Sequence, residues 1–181
     1  MASQITLVRH GETAWSLTGR HTGRTDLPLI AQGEQRASRT CELAGFGGVA
    51  RPEPDFQEWD YGTYEGLTTE EIHAKQPGWD VFQHGGPQGE SVGQVTQRAD
   101  RMVATLRALD GTVVVFSHGH FLRALAMRWI GRPLSAGRHF PLETAAVSML
   151  GYEHPDRKIP AITLWNSGAD LGLACCESSL S

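Results

Sequence analysis

Ile5-Thr6-Leu7-Val8 and Thr112-Val113-Val114-Val115-Phe116 are short runs of strand-forming residues that end alike, in Arg9-His10-Gly11 and Ser117-His118-Gly119. A brief apolar run bounded by glycine reads as a buried strand, and open α/β sheets keep their chemistry at the C-terminal ends of such strands. Between and after them the polar pattern changes to a helical period. Thr68 and Glu71 have the spacing of a capping box, which predicts a short helix that stops before Pro77. Ser91 and Gln94 repeat it ahead of Val92, Val95, Ala99, Met102, Val103 and Leu106, a helix face that runs up to Asp110-Gly111 and packs on the sheet. Phe121-Leu122, Leu125-Ala126 and Trp129-Ile130 mark another helix, closed by Gly131-Arg132-Pro133. Ala145–Tyr152 and Lys158–Trp165 close the pattern as two strands joined around His154-Pro155-Asp156, an edge hairpin in which Pro160 is tolerated. Leu27–Glu34 leads into a further helical stretch that ends near Ala44-Gly45.

Strands alternating with helices place the chain in the α/β class. Its 181 residues, 40% of them hydrophobic, suit one domain, expected over 1–166, with a poorly ordered tail over 167–181. A formal charge of -4 without a Lys/Arg run argues against nucleic acid as a partner. No apolar segment nears the roughly 20 residues that span a bilayer, so no membrane partner is expected either. The start lacks the pattern of a signal peptide, and the expected location is the cytoplasm. Cys41, Cys175 and Cys176 cannot all pair, which fits reduced thiols.

Side by side and parallel, the two histidine-bearing strands bring His10 and His118 to one edge, with backbone amides freed by Gly11 and Gly119. A helix beginning just past His118 would aim its N-terminal amides there and favour an anion. Thr13–Asp26, rich in Gly and Thr, reads as a loop over that edge. Glu58, Asp60 and Glu65 lie among Trp59, Tyr61 and Tyr64, surroundings that can raise a carboxyl pKa toward neutrality, as a proton donor needs. His118 and His120 diverge at a strand end and find no third ligand at a helpful spacing, so neither a metal nor another cofactor is expected. His73 and His84 read as ordinary helix and loop histidines. Arg123 is expected to pair with a carboxylate.

Arg9-His10-Gly11-Glu12, followed at this distance by Ser117-His118-Gly119-His120, resembles the paired signatures of the histidine phosphatase superfamily, also called phosphoglycerate-mutase-like. The resemblance implies a three-layer α/β/α sandwich with a mostly parallel sheet and an antiparallel edge. It implies His10 as nucleophile, Arg9 and His118 on the phosphoryl group, Gly119 in the phosphate site and Glu58 as the acid. Thr22-Gly23 matches the family's substrate-binding pair, Ser16 stands where relatives often carry Asn, and Arg36 matches a further phosphate-binding arginine. The chain departs from the pattern after Glu34. Relatives insert a helix and a strand before the Arg-Ala-x-x-Thr segment, whereas Arg36-Ala37-Ser38-Arg39-Thr40 follows Gln35 at once. The fold is therefore expected to be shortened by one helix and one strand.

The implied activity is hydrolysis of a small-molecule phosphomonoester, such as a sugar phosphate, through a phosphohistidine. An unprotonated imidazole with an ordinary pKa of about 6.5, lowered by neighbouring arginines, suits attack by His10. The alternatives are a phosphoglycerate mutase and a phosphate-binding homologue impaired in turnover. A homodimer is compatible with the chain.

Overall fold

A computed structural model describes residues 4–10, 20–21, 45–46, 48–51, 53–154 and 159–168. Ser16, Thr22, Gly23 and Arg36, and the junction after Glu34 where the chain reads as shortened, lie outside these residues, as does the tail from 169.

Among the described residues four strands form one sheet: β1 (Gln4–Arg9), β2 (Thr112–Ser117), β3 (Val147–Tyr152) and β4 (Pro160–Ser167), in the order β2-β1-β3-β4. β1 and β2 are parallel in a register that sets Arg9 opposite Ser117, so both histidine motifs leave the sheet at one level. The expected mostly parallel sheet is mixed among the described strands. β1 and β2 form the parallel pair, whereas β3 runs antiparallel to both β1 and β4. For two of the pairs the reason is connectivity: the long crossover from β1 to β2 permits parallel pairing, and the few residues between β3 and β4 suffice only for the reverse. The hairpin does occupy an edge, but β3 also lines β1 and is part of the sheet's centre.

Among the described residues four α-helices accompany the sheet: α1 (Thr69–His73), α2 (Val81–His84), α3 (Val92–Ala108) and α4 (Gly119–Trp129). Both capping boxes form, Thr68 with Glu71 and Ser91 with Gln94. α3 buries Val95, Ala99, Met102, Val103 and Leu106 against α4, and α4 in turn packs on β1. Arg98 lies on this same buried face. The core also takes in Trp59 and Tyr61, both almost wholly buried, and thereby anchors the segment that carries Glu58. Gly62, at φ +56°, lets this segment lie against the 85–90 loop, because a Cβ there would run into the Pro87 carbonyl.

Candidate active site

Parallel pairing of β1 and β2 continues one step past the strands, where the His10 amide donates to the Ser117 carbonyl at 2.9 Å. The His10 and His118 rings meet there edge to face, with centroids 4.6 Å apart and planes inclined at 67°. Residues 108 positions apart in the chain thus share one spot at the sheet's C-terminal edge.

Arg9 lies beside them. Its Nη1 donates to the Leu142 carbonyl, and its guanidinium passes so close to Gly119 that a Cβ there would stand 3.1 Å from Cζ and Nε. The Nε is buried and has no hydrogen-bond partner among the described residues. A buried charged donor of this kind is costly unless an acceptor meets it, and a phosphate oxygen is such an acceptor.

Glu58 corrects the expectation drawn from its aromatic surroundings. Its carboxylate accepts from the backbone N–H groups of Trp59 at 2.9 Å, His120 at 3.0 Å and Phe121 at 2.8 Å. Burial alone would push this carboxyl up, yet the His120 and His118 imidazoles and the N–H donors of Trp59 and His120 outweigh it and hold it below the ordinary carboxylate value. The aromatics exclude water, as the sequence suggested, but the loop also aims the carboxylate at the start of α4. His118, the N-cap of α4, makes no side-chain capping bond, and Glu58 supplies the cap from another part of the chain. The anion that the helix N-terminus was expected to attract is therefore, at these two amides, Glu58 itself.

Burial lowers the His118 pKa; the Glu58 charge opposes this, and Arg9 and Arg98 reinforce it. His118 is accordingly neutral near neutrality. His120 lies deeper. Burial takes its pKa down to about 3, against the pull of Glu58, and its Nδ1 sits 2.6 Å from the Tyr61 hydroxyl. Tyr61, pushed well above its ordinary value by burial and by Glu58, keeps its proton. With His120 uncharged, the backbone donors carry the stabilisation of the Glu58 carboxylate at neutral pH.

A cleft of about 360 Å³ opens beside His120, lined among others by His21, Trp79, Phe82, Asp80 and Arg123. Among the described residues Arg123 does not make the expected carboxylate ion pair, although the Asp80 charge acts on it. Its guanidinium donates from Nε and Nη2 to the Gly137 carbonyl and lies over the Phe82 ring at 4.5 Å. His84, read from sequence as a loop histidine, is an exposed residue ending α2, whereas His73 donates from Nε2 to the Trp79 carbonyl, 2.8 Å away, at the margin of the cleft. Sequence reasoning missed His21, Tyr61 and His120 as a connected group and missed Arg98. A single charge within the apolar period of α3 was the available signal for Arg98.

Among the described residues, no cluster of three or more His, Cys, Asp or Glu side chains could hold a metal ion. Nor is any described helix long and apolar enough to cross a membrane.

Residues 5–44 and 34–167 match the profile of the histidine phosphatase superfamily, branch 1. The chain is 40% identical over 187 residues to an acid phosphatase of Mycobacterium tuberculosis, covering 89% of this chain and 92% of that protein. A functionally characterised open reading frame of Mycobacterium tuberculosis superposes with a TM-score of 0.79 at 36% identity, over 92% of this chain and 98% of that one. A mycobacterial glucosyl-3-phosphoglycerate phosphatase shares the fold at a TM-score of 0.72 and 22% identity, over 91% of this chain and 99% of that one.

Proposed function

Because the chain belongs to the histidine phosphatase superfamily and is a phosphatase of it, we propose that it hydrolyses a small phosphomonoester through a phosphohistidine at His10. The meeting of the His10 and His118 rings at 4.6 Å carries this reading. A phosphoryl group seated between them lies within reach of Arg9, whose buried Nε seeks an acceptor. Arg36, Ser16, Thr22 and Gly23 complete the binding set by motif.

An unprotonated His10 nitrogen attacks phosphorus in line, and the P–O ester bond breaks. The departing alkoxide takes its proton from Glu58. Water then attacks the phosphohistidine, gives a proton to the Glu58 carboxylate, and the P–N bond breaks to free phosphate and His10. A carboxyl held below its usual pKa is a poor acid on its own. The bound substrate reverses this, since a phosphoryl dianion beside Glu58 and His118 raises the pKa of both, and Glu58 takes up its proton with the substrate. The cleft next to His120, with Trp79 on its wall and polar side chains around it, suits a compact hydroxylated leaving group such as a sugar.

Rapid quench of the enzyme with p-nitrophenyl phosphate in alkali or denaturing detergent is expected to trap a phosphoprotein, stable to base and labile to acid, that forms faster than steady-state turnover. No trapped phosphoprotein would remove the covalent step. With 3-phosphoglycerate, release of inorganic phosphate supports hydrolysis, whereas accumulation of 2-phosphoglycerate would assign a mutase instead. Activity is expected to survive a chelator.

Gly119→Ala tests the Arg9 contact. The new methyl group, 3.1 Å from the guanidinium carbon, displaces Arg9 from the phosphate, and kcat/KM is expected to fall roughly tenfold, mainly through KM. Thermal stability should hold or rise, because alanine favours the first turn of α4. An unchanged KM would remove Arg9 from the phosphate site.

A further inference from the structure

We propose that Arg98, locked to Glu90, is the positioning residue that fixes the Glu58 carboxyl relative to His118. The inference rests on Glu58 being the proton carrier.

Arg98 is 3% exposed and stands on the helix face otherwise given to the core. Its Nε and Nη2 fork onto the Glu90 carboxylate at 2.9 and 2.7 Å. Nη1 donates to the carbonyls of Asp55 at 3.0 Å and Gln57 at 2.7 Å, and Nη2 also reaches the Glu58 carbonyl at 3.3 Å. Glu90 continues the clamp beyond Glu58, accepting from the Asp60 amide at 3.0 Å. The peptide groups on both sides of Glu58 are therefore tied to one buried ion pair. The guanidinium also lies over the Phe121 ring at 4.2 Å, and the Phe121 amide is one of the donors to the Glu58 carboxylate. One side chain thus grips the loop that carries the acid and the first turn of the helix that follows His118. Ser117 adds a tie at the same place, its hydroxyl donating to the Phe56 carbonyl.

A solvent-facing role would need none of this geometry, and a purely structural ion pair would not need to bracket a single residue. A planar, always-charged fork with five donors can serve a carboxylate and several carbonyls together, which an ammonium cannot.

The test compares Arg98→Met, Arg98→Lys and Glu58→Gln on p-nitrophenyl phosphate, whose alcohol leaves readily, and on glycerol phosphate, whose alcohol needs a proton. Glu58→Gln is expected to lose about 100-fold in kcat on glycerol phosphate and under about tenfold on p-nitrophenyl phosphate, the mark of a lost general acid. Arg98→Met should reproduce this split at about 30-fold, and Arg98→Lys at about tenfold, with KM for both substrates within about threefold of the parent. Equal losses on the two substrates, or no loss, would overturn the inference. A flat Glu58→Gln profile would sink the acid assignment together with this inference, whereas a split in Glu58→Gln that both Arg98 variants lack would sink the inference alone. Should Arg98→Met fail to fold, Arg98→Lys decides by the same outcomes.

Discussion

Replacing His10 with alanine is expected to lower kcat on any phosphomonoester by at least about 10³-fold, because a covalent route loses its nucleophile and only binding and electrostatic stabilisation remain. The base-stable, acid-labile phosphoprotein trapped by rapid quench should vanish in the same variant. His10 sits just beyond β1 and contributes its backbone amide to the sheet's last hydrogen bond, which alanine retains. Folding should therefore be little affected. Arg9 and His118 stay in place, so vanadate should still bind, within about tenfold of the parent affinity. Loss of turnover with retained anion binding separates a missing nucleophile from a collapsed pocket. Full activity in His10→Ala would end the covalent reading.

Stability is expected to fall steadily as the pH drops from about 6.5 toward about 3, and His120 should be the main cause. Its folded pKa lies at about 3, against an ordinary value of about 6.5 in the unfolded chain. Within that window the unfolded chain binds a proton that the folded one refuses, so the free energy of unfolding rises with pH by about 1.4 kcal/mol per unit from this residue. His118 and His21, both also lowered by burial, act with the same sign. Glu58, held below its usual value, adds stability that is fully present above the unfolded carboxylate pKa and is lost as the pH falls from there through the folded value. Urea unfolding at pH 7, 6, 5 and 4 measures the slope. His120→Asn, whose amide can occupy the Nδ1 position beside the Tyr61 hydroxyl, should flatten it by about one proton's worth. A parent slope already flat from pH 6 to 4 would mean that His120 takes up its proton in the folded protein.

Two protonations pull against each other: in the proposed mechanism that of Glu58 aids departure of the alcohol, while that of His120 opposes the fold. Activity in acid is thus bounded by the same buried cluster that shapes the site.

The sequence determined the elements and the pairing of motifs. Ile5–Val8 and Thr112–Phe116 read as strands, the first largely buried in the structure and the second only in part, Thr68 with Glu71 and Ser91 with Gln94 read as helix starts, and the apolar period after His120 reads as the next helix. These are local facts, decided by propensity, caps and period, and the structure reproduces them to within a few residues. The convergence of His10 with His118 was legible as well, because two short apolar strands ending alike have one common way to bury themselves.

Tertiary packing alone decided the charge state of each group. Glu58 reads from sequence as a carboxyl among aromatics, and its pKa turns on burial opposed by the His120 and His118 imidazoles and by backbone donors, with His118 and His120 about sixty residues away. Arg98 reads as one polar break in an apolar stripe, and becomes a clamp only when the 55–60 and 85–90 segments close over it. Spacing along a chain constrains what lies within a few residues. The field at a buried group is set by dipoles and charges that distant segments bring to it, and those become fixed only when the core closes.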